Sequence, residues 1–75
     1  MDQTYPARYK TLGLNIAYYR KKRGLSQEEL AEKAEVDRST ISKTEIAFAG
    51  TSLDLIFKIA DILQVEPYKL FVERD

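Results

Sequence analysis

The segment SQEELAEKAEVDRSTISKTE, residues 26–45, decides the fold. Ser26 stands three residues before Glu29, the spacing of a capping box, and Leu25 and Leu30 occupy the staple positions around it. This pattern predicts a helix that opens after Ser26 and ends near Ala34. Asp37 then caps a following helix, with Val36 and Ile41 spaced as a second staple, and that helix ends near Glu45. Between them lie only Glu35, Val36 and Asp37.

A connection that short cannot lay two helices side by side. They must cross steeply, the geometry of a helix-turn-helix over about residues 26–45. Ala31 and Ala34 are small where the helices approach each other. Leu30, Val36 and Ile41 then face inward, while Arg38, Ser39, Ser42 and Lys43 point outward.

Working outward, the preceding stretch reads as a helix from Pro6 or Ala7 to Arg23. Pro6 suits a first helical position. Leu12, Ile16, Tyr19 and Arg20 recur on one face. Gly24 supplies a left-handed stop after the basic last turn Arg20-Lys21-Lys22-Arg23. A fourth helix begins at Thr51 or Ser52 and carries Leu53, Ile56, Phe57, Ile59, Ala60 and Leu63 at helical spacing. A short fifth starts with Pro67, and Val65 and Leu70 make a third staple; these last two helices span about residues 52–72. No alternation of strand type appears. The expected fold is all-α, one compact five-helix domain over residues 1–75.

Composition narrows the function. The 75 residues include 12 basic and 12 acidic side chains, no cysteine and no histidine. Disulfide scaffolds, thiol or histidine catalysis and Cys/His zinc sites are excluded. There is no phosphate-cradling glycine loop and no convergent carboxylate pair, so an enzyme is not expected, nor is any metal, cofactor or small-molecule effector. No apolar run reaches membrane-span length, and MDQTYPARYK lacks the apolar stretch of a signal peptide. The expectation is a cytoplasmic protein. Zero net charge hides a strong polarity: residues 1–25 carry net +5, 26–37 net −4, 38–43 net +2 and 44–75 net −3.

The string LGLNIAYYRKKRGLSQEELAEKAEVDRSTISKTE (12–45) resembles the phage repressor and Cro family of helix-turn-helix proteins, also called XRE-type regulators. LSQEELAEKA followed by VDRSTISK and a glutamate is the most specific part. SLDLIFKIADILQVEPYKLF (52–71) is similar to the family's closing helices. The resemblance implies a lambda-repressor-like fold and a transcriptional regulator, typically a repressor that binds a near-palindromic double-stranded DNA operator as a homodimer.

In that fold the helix after Asp37 lies in the major groove. The resemblance then gives Arg38, Ser39, Thr40 and Lys43 the base-reading positions. Arg38 is suited to bidentate pairing with guanine O6 and N7. Gln27, at the start of its helix, is expected to touch phosphate and brace the reading helix, and Ser42 to touch phosphate. Arg20 and Glu45 match positions that the family joins as a partly buried ion pair, an architectural role. Losing one partner of a deeply buried pair costs about 3–5 kcal/mol. Lys21, Lys22 and Arg23 form a solvated turn that adds some steering toward DNA. Glu28, Glu29, Glu32 and Glu35 form the solvent face of their helix.

Two departures stand out. Where the family has glycine and basic residues after Glu45, this chain reads Ile46-Ala47-Phe48-Ala49-Gly50-Thr51, without a cation. Glu35 replaces a glycine common in the turn; if that position needs a positive φ, Glu35 adopts it with modest strain. Apolar residues beyond the needs of one core include Leu14 and Tyr18, and Phe48, Leu55, Ile62, Phe71 and Val72 are the candidates for a dimer surface. A second class of function is a protein-interaction module, such as an antitoxin or accessory subunit, for which near-neutral charge and the cation-free loop after Glu45 are the best support.

Overall fold

The computed structural model describes residues 5–46 and 51–74. Within them lie α1 (Pro6–Lys22), α2 (Gln27–Ala34), α3 (Arg38–Glu45) and α4 (Leu53–Leu63), then a 3₁₀ turn at Pro67–Phe71. Phe48 lies outside the described residues.

The helix starts follow their caps. The Ser26 hydroxyl accepts from the Glu29 N–H at 3.0 Å, and the Ser26 N–H donates to the Glu29 carboxylate at 2.8 Å, completing the capping box. The Ser52 hydroxyl does the same for the Leu55 N–H at 3.1 Å. Asp37 departs from expectation. It holds the extended N-cap backbone of α3, yet its side chain makes no cap bond. Instead the Thr40 and Ile41 N–H groups reach the Asp37 main-chain carbonyl.

Three helix ends share one device. The N–H groups of Leu25, Val36 and Val65 bond back five residues to the carbonyls of Arg20, Ala31 and Ala60. Each bond needs a left-handed residue just before it. Gly24 (φ 73°), Glu35 (φ 60°) and Gln64 (φ 59°) provide them. The same three apolar residues then pack against the core, so each link is a left-handed residue, an apolar anchor and an N-cap in succession.

The expected fifth α-helix is corrected to the 3₁₀ turn. The Lys69 N–H bonds back three residues to the Glu66 carbonyl, and five residues starting at proline are too few for a four-residue ladder to take over. The carbonyls left over are not orphaned. Buried Asn15 on α1 donates its amide to the carbonyls of Lys69 (3.3 Å), Leu70 (2.9 Å) and Val72 (2.8 Å). Its own oxygen accepts from Arg74 Nε at 2.7 Å.

One core joins every element: Leu12 and Ile16 of α1, Leu30, Ala31 and Ala34 of α2, Ile41 of α3, Ile56, Ile59, Ala60 and Leu63 of α4, and Leu70. Full burial of each large aliphatic side chain contributes about 1.5–3 kcal/mol. Of the apolar residues at helical spacing on α4, Leu53 is exposed and Phe57 half exposed. Six apolar positions cover more of the helix circumference than the core can meet.

Candidate nucleic-acid interface

α3 is eight residues, about 12 Å long at the α-helical rise. It buries Ile41 and Thr44, one turn apart, against α1 and α2. The face turned away carries Arg38, Ser39 and Lys43, all exposed, with half-buried Ser42 between them. Arg38 and Ser42, and Ser39 and Lys43, are each one turn apart, so the four make a single outward stripe. Thr40 sits at the edge of that stripe, partly covered, and its carbonyl accepts the Thr44 hydroxyl at 2.8 Å.

The stripe is braced from behind. Arg20 Nε meets Glu45 Oε2 at 2.7 Å and Nη2 meets Oε1 at 3.1 Å, a two-pronged pair whose side chains are only 10% and 5% exposed. Arg20 Nη1 also donates to the Leu25 carbonyl at 2.8 Å. The Glu45 carboxylate takes a third donor, Gln27 Nε2, at 2.9 Å. So α1, the start of α2 and the end of α3 converge on one carboxylate, and its negative charge is withdrawn from the surface. What the outward face of α3 presents is the cationic pair Arg38 and Lys43, with exposed Asp37 at its start.

The family model for helix-turn-helix proteins matches residues 16–70. The chain belongs to the helix-turn-helix family of transcriptional regulators. An HTH-type transcriptional regulator of Methanocaldococcus jannaschii is 40% identical over 60 residues, covering 80% of this chain and 91% of the relative. The crystal structure of the restriction-modification controller protein C.AhdI from Aeromonas hydrophila superposes with a TM-score of 0.81 at 37% identity, over 87% of this chain and 98% of that one. SinR, a master regulator for biofilm formation solved in complex with DNA, gives a TM-score of 0.75 at 35% identity, over 81% and 98%.

Two further sets of charged residues lie on or beside the helix-turn-helix. Glu28, Glu29, Glu32 and Glu35 are all exposed on and just after α2. In the basic turn, Arg23 Nε is committed to the Leu63 carbonyl at 2.8 Å, closing the end of α4, and Lys22 lies over the Tyr18 ring. Leu55 and Ile62 pack in part against their own core, whereas Phe71 and Val72 are half exposed. Among the described residues no cluster of acidic side chains could hold a metal, and no helix is long and apolar enough to cross a membrane.

Gln27, expected to touch phosphate and to brace the reading helix, donates to the Glu45 carboxylate at the end of α3. Asn15, Thr44 and the buried Gly13 hold roles that the sequence pattern does not announce. Asn15 and Gly13 had one visible signal, a polar residue and a glycine on the helix face that also carries Leu12 and Ile16.

Proposed function

We propose that this chain is a sequence-specific double-stranded DNA-binding repressor that acts in the cytoplasm as a homodimer on a near-palindromic operator. The observation that carries the reading is the outward stripe of α3, held by the Arg20–Glu45–Gln27 cluster. Arg38 reads guanine through its planar fork, Ser39 and Thr40 bond a base or touch a thymine methyl, and Lys43 reaches a base or phosphate one turn on. Ser42 and Gln27 meet the backbone. An amide carries two hydrogens, so the Gln27 bond to Glu45 leaves the second for phosphate. The solved DNA complex of SinR, similar over most of this chain, supports the same use of the motif.

Homodimerisation is supported by exposed apolar surface. Tyr5, Leu53 and Phe71 line one groove of about 310 Å³ with Tyr9, Leu12 and Ile56, and Val72 follows on the chain. A twofold dimer presents its two reading helices about 34 Å apart, one turn of duplex.

Selection of bound sites from random duplexes, followed by titration of the selected site at two salt concentrations, tests the proposal. The expected result is a two-part motif with half-sites one turn apart and an affinity that falls steeply with salt. Arg38→Ala lowers affinity by about 5- to 150-fold and relaxes one base position, a loss of about 1–3 kcal/mol. Lys43→Ala weakens binding further. Binding of no duplex above background, or binding indifferent to both substitutions, overturns the reading in favour of a protein-interaction module, the alternative that zero net charge supports.

A further inference from the structure

Gly13 lies buried in the middle of α1, where a helix gains nothing from glycine. Its reason is across the interface. A Cβ built on Gly13 falls 2.5 Å from the Glu45 carbonyl oxygen, 2.8 Å from the Glu45 carbonyl carbon and 2.8 Å from the Thr44 carbonyl oxygen. All three are main-chain atoms of the last turn of α3, so no flexible side chain can move aside. Here the backbone of α1 touches the backbone of the reading helix.

The neighbouring contacts make that touch a seat. Glu45 is held through its side chain by Arg20 and Gln27, and Thr44 is tied to its own helix through the Thr40 carbonyl. At the other end, α3 hangs from a turn locked by the Val36 N–H bond to the Ala31 carbonyl. The outward stripe is therefore fixed at three places, and Gly13 sets the depth of one. A methyl group there drives the end of α3 outward by about 0.8 Å to restore an ordinary carbon-to-oxygen approach of about 3.3 Å. Binding groups must be held within about 0.5 Å of their working geometry.

We propose that Gly13 is a positioning residue for DNA reading: the missing side chain sets the aim of α3, and any larger residue separates specific from non-specific binding. The inference rests on the DNA-reading function proposed above. Gly24 provides the control. It too is a glycine that folding needs, at φ 73°, but a Cβ there meets nothing within 4 Å. Alanine at Gly24 destabilises the fold without pushing on α3.

The test compares Gly13→Ala and Gly24→Ala in the full chain, each also made in a background carrying Gln64→Gly to support folding and compared there with that background alone. Thermal melting, affinity for the selected operator, and affinity for a scrambled duplex of equal length are measured below the melting transition. Gly13→Ala is expected to lower the operator-to-scrambled ratio by tenfold or more while scrambled-duplex binding and its salt slope stay within twofold. Gly24→Ala keeps the wild-type ratio. A wild-type ratio in Gly13→Ala overturns the proposal, as does a Gly13→Ala chain that fails to fold even in the supported background, because Gly13 then serves folding and not aim. A parent chain that does not distinguish the two duplexes refutes the DNA-reading function itself, a separate outcome.

Discussion

Glu35 and Gln64 hold φ values of 60° and 59°, a left-handed backbone that crowds a Cβ and that glycine, having none, adopts freely. Neither earns much in return. Glu35 reaches Lys58 Nζ at 3.8 Å across an exposed gap, a pair of little worth. Glu35→Gly and Gln64→Gly are each expected to raise stability by about 0.5–1 kcal/mol, the relief of left-handed strain less the chain entropy of glycine. Chemical denaturation reads this directly, and a fall in stability at either site refutes it. The strain at Glu35 was legible, because a glycine is missing from a turn that commonly has one. At Gln64 nothing in Leu63-Gln64-Val65 announces it. Gly13 illustrates the limit more sharply: the residue is visible, but the contact that requires it lies over 30 positions along the chain. The Arg20–Glu45 contact likewise had no local signal and was reached only through family resemblance.

Single helices were read well where their ends carry chemistry. Ser26 with Glu29 and Ser52 with Leu55 set the starts of α2 and α4, and Gly24 marked the end of α1. Asp37 fell in the right place without using its side chain, since the main-chain carbonyl was enough. On α4 the apolar periodicity marks the helix but runs past the edge of the core at Leu53 and Phe57, and in the final turn proline and brevity select 3₁₀ geometry. The α2 capping box has a pH signature. The Ser26 backbone N–H, then the Ser26 hydroxyl, hold the Glu29 carboxyl below the usual glutamate range, with Lys33 adding a smaller pull and desolvation opposing. A carboxyl depressed in the folded state stabilises it above the unfolded pKa and loses that contribution as pH falls through the folded value. Glu29→Gln should therefore flatten stability against pH in the acidic range and leave its shape at neutral pH unchanged. An identical acid limb in both proteins excludes the effect. Ser26→Ala should cost about 1 kcal/mol at neutral pH.

For the molecule as a whole, the least legible feature is the tie between α1 and residues 69–74. Asn15 gathers three carbonyls from residues 69–72 and accepts from Arg74, closing contacts 54 to 59 positions apart. Asn15→Ala leaves those carbonyls without a donor and is expected to cost about 1–3 kcal/mol. Amide hydrogen exchange should rise through residues 69–74 first, with α2 and α3 protected; uniform loss of protection would contradict a local tie. The Arg74 guanidinium that completes this tie lies 3.8 Å over the Tyr18 ring. The chain has five tyrosines and no tryptophan, so no indole drains or masks phenol emission. Docking of residues 72–74 on α1 is therefore expected to alter the emission of Tyr18, one of the five phenols, giving an unlabelled optical gauge of that contact.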